Sequence, residues 1–166
     1  MRLLRGLHNI PAEFKGCAAT IGTFDGLHLG HQRIIHSLKA VSERHGVPTL
    51  VMLFEPQPKE FFAPDAAPAR LANLREKLQD LKQENVDYVL CLPFNQALRS
   101  MSADAFIKDI LISALGIKHL IVGDDFRFGC DRSGDYQLLR EYGDKYGFDV
   151  QDSPTHELDA ERISST

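Results

Sequence analysis

The residues best suited to chemistry lie near the amino terminus, in the run Gly22-Thr23-Phe24-Asp25-Gly26-Leu27-His28-Leu29-Gly30-His31. Glycines let backbone N–H groups approach an anion closely, and the positive end of a following helix helps to hold it. His28 and His31 then present imidazole donors where negative charge grows during a nucleotidyl transfer, and stabilising such charge is usually the largest catalytic contribution. Neither histidine has to be a nucleophile. If the attacking group is itself a phosphate, its second pKa of about 6 leaves it mostly dianionic at neutral pH, so no strong general base is required. The same spacing also suits a pair that only caps or packs at a helix start. A zinc pair would need further ligands, and only Asp25 stands nearby in sequence.

Three further clusters carry polar or aromatic groups. Phe54-Glu55-Pro56-Gln57-Pro58, followed by Phe61 and Phe62, joins aromatics to prolines that forbid normal strand pairing. Gly123-Asp124-Asp125-Phe126-Arg127-Phe128-Gly129 is a polar loop, and Arg162-Ile163-Ser164-Ser165-Thr166 is a hydroxyl cluster. Each has a plain reading of its own. The aspartates end a strand in solvent, the arginines are solvated, the phenylalanines belong to the core, and the hydroxyls sit in a loop or cap.

The elements that must position these groups follow from hydrophobic patterning. Apolar runs alternate with amphipathic stretches, the pattern of a parallel sheet with crossover helices. Strands are expected at about 17–22, 49–54, 88–92, 119–122 and 148–150. A helix from Gly30 to about His45 repeats Ile34, Ile35, Leu38 and Val41 at helical spacing and stops at Gly46. Leu71, Leu74, Leu78 and Leu81 mark a second helix. Ser102 caps a third, in which Phe106, Ile110 and Ala114 share a face, and a fourth runs from about Asp135 to Tyr146. If the strands are parallel, the turn before His31 and the loop after Val122 meet at one sheet edge, where open α/β sheets bind ligands. Residues 59–69 read as an irregular segment that covers a site or forms a small lobe.

The chain has 166 residues, within the range of one domain, and its 43% hydrophobic and 25% charged content is ordinary for a globular protein. A formal net charge of -4 argues against a protein that wraps long nucleic acid but leaves small phosphorylated ligands open. Cys17, Cys91 and Cys130 form no Cys-x-x-Cys pair and read as reduced, small buried hydrophobes. No signal-peptide core or membrane-spanning run is evident, so a cytoplasmic location and no membrane partner are expected. His8, His36, His45, His119 and His156 have no comparable setting and read as structural or exposed.

Taken together and in this order, the four motifs resemble the bacterial bifunctional riboflavin kinase/FAD synthetases, specifically their FMN adenylyltransferase module, over essentially residues 1–166. The resemblance implies an α/β, Rossmann-like nucleotidyltransferase fold: a parallel sheet with helices on both faces and a small flavin-side lobe. It implies transfer of AMP from ATP to FMN, giving FAD and pyrophosphate, with Mg2+ accompanying ATP. His28 and His31 would steady the ATP phosphates. Gly22, Thr23, Phe24, Asp25, Gly26 and Gly30 would shape the phosphate turn, and Ser164, Ser165 and Thr166 would contact the triphosphate. Phe54, Pro56, Pro58 and Phe62 would border the flavin, with Asp125, Phe126, Arg127 and Phe128 facing the bound nucleotide or flavin. No dedicated metal ligand is assigned. The family pattern continues past the hydroxyl cluster to an arginine and a separate riboflavin kinase domain, so the chain reads as a truncated module that does not phosphorylate riboflavin. Another phosphate acceptor, or a flavin or nucleotide-binding module inactive through truncation, are the alternatives.

Overall fold

The computed structural model describes residues 1–22, 29–55, 74–123 and 126–153. Strands β1 (Arg2–Arg5), β2 (Cys17–Ile21), β3 (Thr49–Phe54), β4 (Tyr88–Leu92), β5 (Ile117–Gly123) and β6 (Asp149–Ser153) form one sheet in the order β1-β4-β3-β2-β5-β6. Every neighbouring pair is parallel. The central strands are near-continuous apolar runs because both of their faces are covered: all five residues of β2 and the first five of β3 are buried.

Strand alternation sorts these residues between two layers. Leu50, Met52, Leu90, Leu120 and Val122 enter one cluster with Phe106, Ile110 and Leu139. Val51, Leu53 and Val89 point the other way, onto Ile35 and Leu81, and beside them Ala18 and Ile121 meet Leu38 and Val41. Helices α1 (Leu29–His45) and α2 (Leu74–Gln83) therefore cover one face. The opposite face is covered by a π-helix (Phe106–Ala114) and by the later helix Tyr136–Tyr146. The expected parallel sheet with helices on both faces is the observed fold.

Local chemistry sets the helix ends. Asn95 accepts from the Leu98 N–H to cap α3 (Gln96–Arg99), and Ser102 accepts from the Ala105 N–H to cap α4 (Ala103–Ala105). Asp135 caps α5 (Tyr136–Tyr146) through the Leu138 N–H, and Gly147 ends it in the left-handed conformation at φ 85°. Between β3 and β4, the Asp87 carboxylate accepts from the Thr49 N–H at 2.9 Å and the Thr49 hydroxyl at 3.1 Å, which ties the starts of the two strands together.

Three local expectations change. The amino-terminal residues form a strand, β1, absent from the sequence reading; only Leu4 of it is buried, as suits an edge strand. The segment after α4 is a π-helix whose wider turns bury Phe106, Ile107, Ile110 and Leu111, whereas Ala114 is half-buried. Cys17 and Cys91 are buried as expected, but Cys130 is exposed because it lies on a surface turn. The expected small lobe and Leu71 lie outside the described residues.

Candidate active site

Strand β2 has β3 on one side and β5 on the other, while its own crossover through α1 leads to β3. That reversal of direction is the topological switch point at which α/β sheets open a crevice beyond the carboxyl ends of their strands. The buried Thr20 hydroxyl donates to the Ile121 carbonyl at 2.9 Å and pins β2 to β5 there. The Gly22 N–H donates to the Met52 carbonyl at 3.2 Å, holding the exit of β2 against β3.

Helix α1 begins at Leu29, and its first turn carries Gly30 and the half-buried His31. No acidic side chain occupies that turn, so the positive end of this 17-residue helix is not neutralised from within. Thr23, Phe24, Asp25, Gly26 and His28 lie outside the described residues, as do Pro56, Pro58, Phe62, Asp125, Ser164, Ser165 and Thr166.

At the end of β3, Phe54 is half-buried and meets Phe94 edge-on, with ring centroids 6.0 Å apart and planes at 82°. Glu55 continues the strand by one rung, its N–H donating to the Leu92 carbonyl at 2.9 Å. Beside this corner lies a cavity of about 650 Å³, lined in part by Gly6, Leu92, Pro93, Leu98 and Met101. Sequence reading did not anticipate this cavity, because it needs the ends of β1 and β4 side by side. A second cavity, about 660 Å³, runs from Gln32, Arg33 and His36 of α1 to Asp152 and Ser153 at the end of β6.

Beyond β5, Phe126 donates its N–H to the Gly123 carbonyl at 3.1 Å and stacks on Phe128, with centroids 5.5 Å apart and planes at 23°. Phe128 is only 8% exposed and continues the stack inward to Phe106 at 5.2 Å. The Phe128 ring is packed in the core and supports Phe126. Gly134 pairs backbone to backbone with Phe128, and a Cβ there would stand 2.5 Å from its ring. Arg127 is exposed and donates to the Phe126 carbonyl at 3.1 Å.

Behind the stack, the Tyr142 hydroxyl of α5 donates to Asp104 of α4, and Lys108 stands 3.2 Å from the same carboxylate. These contacts hold Asp104 below its ordinary carboxylate range, the tyrosine hydrogen bond foremost, and the same bond raises Tyr142. They tie α4 and α5 together outside the crevice. Gly22, His31 and Phe126 share the carboxyl edge of the sheet, while Phe54 stands one strand away at the end of β3.

Fold and site together define an α/β nucleotidyltransferase-like domain. The profile of the FAD synthetase family matches residues 10–166. The chain belongs to that family. It is 54% identical over 166 residues to a bifunctional riboflavin kinase/FMN adenylyltransferase of Pseudomonas fluorescens, covering 100% of this chain and 53% of that protein. The protein of the same name in Escherichia coli K12 is 49% identical, again over 100% of this chain and 53% of its own length. The chain thus spans about half the length of these curated relatives. A solved structure from Streptococcus pneumoniae, titled a macrolide-efflux protein, superposes with a TM-score of 0.75 at 25% identity, covering 92% of this chain and 50% of that one. Among the described residues, no helix is long and apolar enough to cross a membrane.

Proposed function

We propose that this chain is an FMN adenylyltransferase, transferring AMP from ATP to FMN to give FAD and pyrophosphate. The observation that carries the reading is His31 on the un-neutralised first turn of α1, directly beyond the switch-point strand β2. The positive helix end and the imidazole both act on oxygens that gain charge as the α-phosphate is attacked and pyrophosphate departs. The FMN phosphate, dianionic at neutral pH, attacks without a protein base.

His28 is assigned beside His31 on the phosphates, with Gly22, Thr23, Phe24, Asp25, Gly26 and Gly30 forming the turn that admits them. Ser164, Ser165 and Thr166 are assigned to the triphosphate. The flavin is assigned to the side of Phe54, Pro56, Pro58 and Phe62. Asp125, Phe126 and Arg127 are assigned to the loop facing the substrates, with Phe128 as the support of that loop. Mg2+ comes with ATP; phosphate oxygens and water suit its hard, octahedral shell. The relatives' double name supports a riboflavin kinase domain as partner in the parent protein, and cytoplasmic action fits a cytoplasmic supply of ATP.

The test is chromatographic detection of FAD after incubation with FMN, ATP and magnesium. FAD and pyrophosphate in equal amounts are expected. A second reading keeps the fold and changes the acceptor to nicotinamide mononucleotide or phosphopantetheine; the aromatic, proline-flanked segment after Phe54 favours the flat flavin ring. Turnover of either alternative acceptor in preference to FMN would overturn the assignment, and nucleotide binding without turnover of any acceptor would leave a binding module.

A further inference from the structure

At the opposite edge of the sheet, three side chains converge that the proposed reaction does not use. His45 is the last residue of α1, His119 lies in β5, and Asp149 opens β6. Strand register makes His119 and Asp149 direct partners on neighbouring strands. Parallel pairing therefore sets the two side chains next to each other. The His45 ring centroid lies 6.4 Å from that of His119, and His45 Nε2 lies 4.0 Å from Asp149 Oδ2. One ligand atom from each residue lies within 4.8 Å of the others.

A second observation concerns His119 itself. His119 is only 8% exposed, and its Nδ1 is the buried side-chain atom that has no hydrogen-bond partner among the described residues. Its other nitrogen, Nε2, lies 3.1 Å from Gln151 Oε1. In the tautomer that donates from Nε2 to this amide oxygen, Nδ1 keeps an open lone pair. A buried imidazole with one nitrogen fixed by an oxygen acceptor and the other left bare is the arrangement seen in metal-ligating histidines. An orphaned buried nitrogen otherwise calls for an explanation.

We propose that His45, His119 and Asp149 form a site for a zinc-class divalent transition metal. Two imidazoles and one carboxylate with a position open to water suit Zn2+, whereas magnesium and calcium prefer all-oxygen shells. Tetrahedral zinc with bonds of about 2.0–2.1 Å sets its ligands roughly 3.3 Å apart. The 4.8 Å spread must therefore contract, and the partners that move are on the surface: the side chains of His45 and Asp149 are 36% and 72% exposed. His119 is the fixed ligand. The carboxyl end of α1, whose carbonyls favour a cation, adds to the attraction. The ion would clamp α1 to β5 and to the outer strand β6, away from the crevice, so it stabilises the fold and takes no part in the transfer.

Titration with Zn2+, and with Co2+ as a spectroscopic probe, tests this. One equivalent of Co2+ is expected to give the intense visible bands of a tetrahedral nitrogen and oxygen site, and one equivalent of Zn2+ to displace it and raise the melting temperature. Millimolar Mg2+ should do neither. His45→Ala and Asp149→Asn, both at surface positions, should each weaken zinc binding at least about tenfold while leaving the metal-free melting temperature unchanged. His119→Gln should remove the visible bands, and circular dichroism would confirm that it folds. No uptake at micromolar zinc overturns the proposal, as does zinc binding unaffected by the double variant of His45 and Asp149. Binding lost in Cys130→Ser or His31→Ala instead would place the metal elsewhere and also overturn it.

Discussion

Gly134 offers a test in which two physical effects oppose each other. It is absent from the positive-φ glycines, so alanine suits its backbone and would by itself stabilise the chain by about 0.4–1 kcal/mol through the unfolded state. Its Cβ, however, would stand 2.5–2.6 Å from three carbons of the Phe128 ring, where about 3.5–4 Å is comfortable. The ring has no easy retreat, because Phe126 stacks on it at 5.5 Å and Phe106 meets it at 5.2 Å. Overpacking of this kind costs about 1–3 kcal/mol. Gly134→Ala is therefore expected to cost the protein about 0–2.6 kcal/mol once the entropic gain is subtracted. Phe128→Ala alone should cost about 3–5 kcal/mol. Adding Gly134→Ala to it should cost nothing further or recover about 0.4–1 kcal/mol, because the clash is gone and the backbone effect remains. Urea unfolding of the four proteins, at a constant dependence on denaturant, measures the cycle. A coupling of about 1–3 kcal/mol is expected. Equal costs of Gly134→Ala in both backgrounds, within about 0.5 kcal/mol, would refute the packing argument.

The remaining predictions concern the carboxyl edge of the sheet, on the proposed adenylyltransferase reading, then the strand starts and the thiols. His31→Ala is expected to lower kcat at least about tenfold, roughly 1.4 kcal/mol of barrier, while ATP affinity stays within twofold; steady-state kinetics and calorimetry separate the two. Asp87→Ala strands the N–H of Thr49, a residue 1% exposed, and should cost about 1–3 kcal/mol in urea unfolding, with Asp87→Asn milder. Iodoacetamide should label Cys130 quickly and the buried Cys17 and Cys91 only on unfolding, as peptide mapping would show. Burial pushes the Cys17 thiol up to about 12 from 9.0. The folded state thus holds its proton more tightly than the unfolded state, so this contribution is complete below pH 9.0 and is lost as pH rises toward about 12. Cys17→Ala should flatten that alkaline decline in stability.

Much of this architecture was legible because central parallel strands and their covering helices write their burial directly into the chain. Leu50, Val51, Met52 and Leu53 are apolar on both faces of β3, and Ile35, Leu38 and Val41 follow the turn of α1; the sequence predicts both elements with nearly the observed limits. It does not predict the edge strand β1, since a single buried Leu4 between arginines makes no periodic signal and its pairing with Tyr88–Cys91 is a long-range event. After Ala105 the sequence predicts a helix without separating π from α, because Phe106, Ile107, Ile110 and Leu111 fit the buried stripe of either. At the site, the glycine turn and His31 announce themselves by spacing. The burial of Phe128 does not, for it depends on a stack that reaches Phe106 across the fold. His119 looked featureless for a related reason: only the register of β5 on β6 sets Asp149 beside it.

The hydrogen bond from Thr20 to Ile121 joins residues 101 positions apart in the chain. On one side of it β3, β4 and β1 extend the sheet from β2; on the other stand β5 and β6. A nascent chain emerging from the ribosome could assemble the first group early, but one wall of the crevice would be missing until β5 had been made and had docked. Pairings between distant residues are slow to form. The crevice between β2 and β5 is therefore complete only late in folding, and a ligand spanning both walls would fasten that seam more than any earlier one.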